Sequence, residues 1–232
     1  MTVHRYQLPR MIVRGVAQTL DADIYTDAGV QITPTAATLS LYAGGKTLLD
    51  GVSATAAAPS TYALLAATTA DEGYSTEYLE VWTLTVSGNP VTVQRPGYLV
   101  RRELHPTITD TDLLCYHTDL ADLRDPDNTT FEVQREEAWV WINRRLIERG
   151  RRPQLIIDAW ALRDVHVYKT LGIIFRDAAM ALGDGRYQEL GEYYRTLADE
   201  TLAGLSLQYD EDEDGFVDDG DNLPAHSVIF LN

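Results

Sequence analysis

The sequence predicts an α+β protein: an antiparallel, sandwich-like β domain over residues 1–105, a four-helix domain over 106–208 and an acidic tail over 209–232. Three observations predict it. Apolar residues alternate with period two up to about residue 102, then recur three and four apart to about residue 201. Charge shifts at the same places: of a formal net charge of −16, residues 1–105 carry −2, 106–208 carry −6 and 209–232 carry −8. The last segment has eight carboxylates and no Lys or Arg.

In the front half, Asp23-Ile24-Tyr25 and Val30-Gln31-Ile32 flank Asp27-Ala28-Gly29, which reads as a hairpin. Thr38-Leu39-Ser40-Leu41-Tyr42 alternates, and Gly44-Gly45 turns the chain into Lys46-Thr47-Leu48-Leu49. The aromatic and β-branched run from Tyr78 to Val86 is the strongest strand. Ser87-Gly88-Asn89-Pro90 ends it, Val91-Thr92-Val93-Gln94 returns, and Tyr98-Leu99-Val100 is a last strand. The Ala/Thr-rich stretch 53–70 reads as a long loop with one short strand. Gly45-Lys46-Thr47 has the ending of a phosphate-binding loop, but position 40, where its first glycine belongs, is Ser40, and no helix follows.

The helical half opens with Thr109-Asp110-Thr111-Asp112, which supplies cap residues and carboxylates suited to the positive end of a helix dipole. Leu113, Leu114, Leu120 and Leu123 follow, and Asp125-Pro126-Asp127-Asn128 stops that short helix. A second helix is expected over 130–149, ending at Gly150, with Phe131, Ala138, Trp141, Ile142 and Leu146 as its apolar set. A third is expected to start at Pro153 and run to 182, roughly 45 Å at the usual helical rise. Its stripe is Ile156, Trp160, Val167, Leu171, Ile174, Ala178 and Leu182. Gly183-Asp184-Gly185 breaks it, and Tyr187, Leu190, Tyr194, Leu197 and Thr201 mark a fourth. The short connections favour antiparallel neighbours.

Composition excludes several classes. One cysteine, Cys115, cannot make an internal disulfide framework or a cysteine-rich zinc site. A pI near 4.5 argues against wrapping nucleic acid by charge neutralisation. The first residues lack the apolar stretch of a signal peptide, and the best membrane-span candidate, 52–70, is broken by Pro59. No catalytic constellation is visible, so a non-enzymatic protein is expected. His105 precedes a proline, His117 lies among aspartates, and His166 sits mid-helix as a packing or surface residue. Cys115 has no basic neighbours to activate it and is expected to be a buried thiol. Trp139, Trp141 and Trp160 are expected in the core or an interface.

Two local patterns point to binding. Asp210, Asp212 and Asp214, with Gly215 at the sixth position, match the opening of a calcium loop, in which alternate residues turn oxygens inward on a hard cation. Phe216 would add a backbone carbonyl, and Asp218 and Asp221 would supply later ligands, Asp221 on a shorter arm than the usual glutamate. One structural Ca2+ is the expectation, set against a solvated acidic tail. Arg144, Arg145, Arg149, Arg151 and Arg152 crowd one helix end and read either as dipole compensation or as a docking patch for an acidic surface, a partner's or the protein's own tail in a neighbouring copy.

The Thr107-Ile108-Thr109-Asp110-Thr111-Asp112-Leu113-Leu114 opening, followed by a second helix, a long third and a shorter fourth, resembles the head-to-tail connector (adaptor) proteins of tailed bacteriophages. The resemblance covers residues 107–208. It implies a non-enzymatic virion protein of the neck, between capsid and tail, in a homo-oligomeric ring of commonly twelve copies. Such a ring sits between the portal protein and a downstream neck or tail protein and lines the passage through which DNA moves. It further implies that the C-terminal segment, including the strand-like Val228, Ile229 and Phe230, reaches towards the portal, and that the β domain is an outer decoration. The alternative is a calcium-stabilised, non-enzymatic binding module with a β-sandwich domain.

Overall fold

A computed structural model of the 232-residue chain describes residues 2–3, 8–74, 77–104, 107–124 and 129–210. The protein is mixed α+β and divides into two compact units, 1–103 and 104–232.

Unit 1 is built on a five-stranded sheet of order β2-β9-β8-β5-β6. Its strands are β2 (Arg10–Val13), β5 (Ala36–Ala43), β6 (Lys46–Ala54), β8 (Glu77–Val86) and β9 (Asn89–Val100). All neighbours are antiparallel except β2, which runs parallel to β9 from Gly97 onward. Alternation decides which face is buried: Ala37, Leu39, Leu41 and Ala43 on β5 point inward with Tyr78, Glu80, Trp82 and Leu84 on β8. Two-residue turns close the hairpins. Gly44-Gly45 joins β5 to β6, and Ser87-Gly88, both at positive φ, joins β8 to β9. The Gly45-Lys46-Thr47 run therefore sits at a hairpin turn. Two smaller pairs complete the unit: β3 (Gln18–Ala22) with β7 (Ser60–Leu64), and β1 (Thr2–Val3) with β4 (Tyr25–Thr26). Leu20, Ala22 and Leu64 from the β3–β7 pair share one apolar cluster with Ile12, Leu39, Leu41 and Trp82 of the large sheet.

Stretch 53–70, expected to be a loop with one short strand, is more ordered. β6 continues to Ala54, β7 follows, and a single 3-10 turn covers Ala66–Thr68. Residues 89–100, expected as two strands, form one.

Unit 2 contains α1 (Asp110–Leu114), α2 (Glu132–Glu148), α3 (Arg163–Leu182) and α4 (Gly185–Gly204), with 3-10 turns at Thr118–Leu123, Pro153–Leu155 and Ala159–Leu162. α2 ends as expected at Gly150, at φ +70°. The Gly150 amide donates to the Ile147 carbonyl and the Arg151 amide to that of Leu146, which satisfies the last turn. The third helix starts ten residues later than expected. Pro153 opens only a 3-10 turn, because Leu155–Ile157 pairs with the returning chain instead. Ile156 bridges Tyr209, the Ile157 amide donates to the Gln208 carbonyl and the Asp210 amide to that of Leu155. Asp158 then accepts a hydrogen bond from the Trp160 amide, and α3 begins at Arg163. Val167, Leu171, Ile174 and Phe175 of α3 pack with Tyr194 of α4, Leu113, Leu120 and Phe131.

Candidate functional site

The opening carboxylates of the helical unit tie it together. The Asp112 carboxylate accepts from the Thr109 amide at 2.7 Å and from Arg163 at 2.8 Å, bonds that hold it below the usual carboxylate range. Asp110 accepts from Arg135 Nε and from the Phe131 amide, both at 3.1 Å, and pairs with Arg124 at 3.4 Å. The Thr-Asp-Thr-Asp run thus reaches the start of α2 and the start of α3, beyond capping its own helix.

α2 presents two faces. Ala138, Ile142, Asn143 and Leu146 are buried, whereas Val133, Val140 and Ile147 lie along the opposite side, 63%, 50% and 41% exposed. Their spacing of seven residues sets them in one row, two helical turns or about 10 Å apart, with the exposed Glu136, Glu137 and Arg144 on the turns between. At the end of that row the arginines divide. Arg144 Nε and Arg145 Nη1 each reach the Glu148 carboxylate at 2.9 Å and depress its pKa, with Arg144 the larger influence. Arg145 also lies over the Trp141 ring, and Arg151 over Tyr209. Arg149 and Arg152 are exposed.

Of the proposed metal loop, Asp210 alone lies among the described residues, where it is buried and its amide is held by Leu155. Asp212, Asp214, Phe216, Asp218 and Asp221 lie outside them, as do Val228, Ile229, Phe230 and His105. Among the described residues, no group of three or more His, Cys, Asp or Glu side chains is placed to hold a metal ion.

Three expectations about single residues change. Cys115 is exposed, because Leu113 takes the inward position at the end of α1 and leaves the thiol outside. Trp160 is 65% exposed: it lies on the 3-10 turn before α3, where helical spacing does not apply, with Arg163 over its ring. Leu182, at the far end of the expected stripe, is also exposed, since α3 stops there. His166 is fully buried. Its Nε2–H donates to the Arg135 carbonyl at 2.9 Å, and burial pushes its pKa down to about 4, so the ring is neutral. His117 Nε2 lies 2.8 Å from the Tyr194 hydroxyl, edge-on to Phe175, and burial lowers it too.

Two clusters were not anticipated from the sequence. The first is in unit 1. Glu80, fully buried, takes the Arg10 guanidinium at 2.9 Å and accepts a hydrogen bond from Trp82 Nε1 at 3.1 Å. Burial raises its pKa despite these partners. Arg10 continues to the Asp21 carboxylate at 2.9 Å, so three strands, β2, β3 and β8, meet through one guanidinium. Tyr78 lies over Gly97, with its hydroxyl 3.1 Å from the Arg10 carbonyl and 3.3 Å from Glu80; a side chain at Gly97 would collide with both the ring and that carbonyl. Alternation alone puts Glu80 on the inner face with Tyr78 and Trp82, which was the available signal.

The second cluster is a pocket of about 350 Å3 beside the crossing of α3 and α4. Lys169, Arg176 and Arg195 bring three cations to it against one carboxylate, Glu192, and Ile173, Ala179 and Met180 give it apolar lining. Its cations are spread over two helices and 27 positions of sequence, so no local motif marks it.

Comparison of the chain with protein-family models, with curated proteins and with solved structures finds no match to any of them.

Proposed function

We propose that the chain is a non-enzymatic ring subunit of the head-to-tail connector kind, seated between a portal protein and a neck or tail protein of a phage particle. The exposed row Val133, Val140 and Ile147 carries this reading. A helix that buries one face in its own core and leaves a row of aliphatic side chains in water, with carboxylates and an arginine between them, has a mixed surface suited to a neighbouring subunit. The order of elements adds support, a capped short helix, then α2, α3 and α4, whereas the lengths do not: α3 and α4 are twenty residues each, where a long third and a shorter fourth helix were expected. Arg144, Arg145, Arg149, Arg151 and Arg152, at the C-terminal end of α2 and just beyond it, would supply polar contacts around that interface. In this reading unit 1 is a sandwich-like outer decoration and unit 2 a four-helix connector unit. The net charge of −16 lets DNA pass without being gripped.

Native mass spectrometry and negative-stain microscopy of the full chain, alone and with the portal of the same particle, test the proposal. Rings are expected, and Val140→Asp is expected to abolish them while leaving the circular-dichroism spectrum unchanged. A chain that stays monomeric in both settings overturns the reading.

A further inference from the structure

We propose that the groove at the α3–α4 crossing is a docking site for an acidic peptide segment with an apolar anchor, supplied by a second copy of this chain: Asp214-Gly215-Phe216-Val217-Asp218. The site is made by two glycines. Gly172 on α3 and Gly191 on α4 face each other, and a Cβ on either would stand 3.2 Å from a backbone nitrogen of the opposite helix. Both line the pocket of about 350 Å3 that opens beside them, a volume at the low end for a ligand site and suited to one large side chain with its neighbours.

The charges of the groove are unbalanced towards cations, three against the one carboxylate of Glu192, which accepts from Gln188 at 3.4 Å. Arg176 is already engaged by Glu137 at 3.2 Å and Asp177 at 2.8 Å. The other two cations are not. Lys169 Nζ rests over the Trp141 ring, 4.3 Å from its centroid, and neither it nor the Arg195 side chain has an ion pair among the described residues. Asp199 and Glu137 attract Lys169 from beyond ion-pair distance, Arg176 and Arg195 repel it, and partial burial holds its pKa below the usual lysine value. A carboxylate brought between Lys169 and Arg195 relieves that repulsion and makes charge-assisted hydrogen bonds to both.

The apolar lining selects what must accompany the carboxylate. Ile173 and Ala179 belong to it, and Met180, 73% exposed, adds an adaptable side chain. The occupant therefore needs an apolar side chain flanked by acids. The chain holds such a segment: Phe216-Val217 lies between Asp214 and Asp218, in a stretch of eight carboxylates with no cation. Duplex DNA is the less suitable occupant, because a chain of net charge −16 repels a polyanion overall. The proposal needs two copies but no ring, so the two readings fail separately: the ring by native mass, the docking by peptide binding.

The experiment titrates a fluorescein-labelled synthetic peptide of residues 209–221 into the full chain, in EDTA so that no cation masks the carboxylates, and follows anisotropy. A parallel titration uses the full chain carrying Asp214→Asn and Asp218→Asn, whose own segment competes less. Saturable binding to one or both is expected, weakened by about tenfold or more with K169Q/R195Q, with D214N/D218N in the peptide, and with added salt. Met180→Asp, on an exposed side chain, is expected to weaken it as well. Absence of binding to both receptors, binding indifferent to K169Q/R195Q, or tighter binding of a duplex DNA oligonucleotide at the same two residues overturns the proposal.

Discussion

The Arg10 guanidinium lies 2.9 Å from the Glu80 carboxylate inside unit 1, and Glu80 has no exposure to solvent. Such a pair is worth less than its geometry suggests, because both charges have left water. Its loss by halves is another matter. Arg10→Met would strand a buried carboxylate and is expected to cost about 3–5 kcal/mol. The double variant R10M/E80M removes both charges and is expected to recover part of that loss, the remainder being the buried Trp82 Nε1–H left without its acceptor. Urea unfolding of the four proteins in the cycle checks this; additive single and double effects would show that the two groups are not coupled.

His166 makes stability depend on pH. Burial lowers its pKa from 6.5 to about 4, so between those values the unfolded chain binds a proton that the folded chain does not. The stabilisation is fully present above about pH 6.5 and is lost as pH falls towards 4, to a total of about 3 kcal/mol. His166→Gln keeps a donor for the Arg135 carbonyl and cannot titrate. Its unfolding free energy is expected to vary less steeply than that of the parent across this window.

How far these features could be read in advance depended on the range of the interactions that set them. The inner set Val167, Leu171, Ile174 and Ala178 is visible because a helix repeats its buried face every three to four residues, and all four are buried. The stripe fails at its ends for non-local reasons: Ile156 is drawn into pairing with Tyr209, and Leu182 has run past the core. β2 and β3 escaped notice because they are short and carry Arg10 and Asp21, polar residues that make sense only beside Glu80, some seventy and sixty positions away. The same holds for Lys169 and Arg195, which become neighbours through the helix crossing alone.

The Gly172–Gly191 crossing sets how closely α3 and α4 approach. An alanine at 172 gains about 1 kcal/mol of helix propensity, but its methyl presses on the Arg195 amide at 3.2 Å. The two effects oppose each other, and Gly172→Ala is expected to change stability by less than about 1 kcal/mol. Gly172→Leu cannot be absorbed in that way and is expected to cost at least about 1–3 kcal/mol by prising the helices apart. Thermal unfolding of both variants checks the contrast; equal melting temperatures would mean that the helices are not held at this point.

Asp110 gives a last test, of how the helical unit is joined. One carboxylate receives the Arg135 side chain, the Phe131 amide at the head of α2 and the Arg124 guanidinium. It therefore links α1 to the start of α2, and through Arg135, whose carbonyl accepts from His166, to α3. Bonds of this charge-assisted kind contribute about 1.5–3 kcal/mol where they are shielded, and the Asp110 side chain is 18% exposed. Asp110→Ala is expected to destabilise the chain by about 2–3 kcal/mol. Asp110→Asn, which can still accept from the Phe131 amide but carries no charge for Arg135, is expected to lose a smaller part. Hydrogen exchange at the first turn of α2 separates the two roles: it is expected to speed up more in the alanine variant than in the asparagine one. Equal protection in both would place the whole contribution in the ion pairs with Arg124 and Arg135.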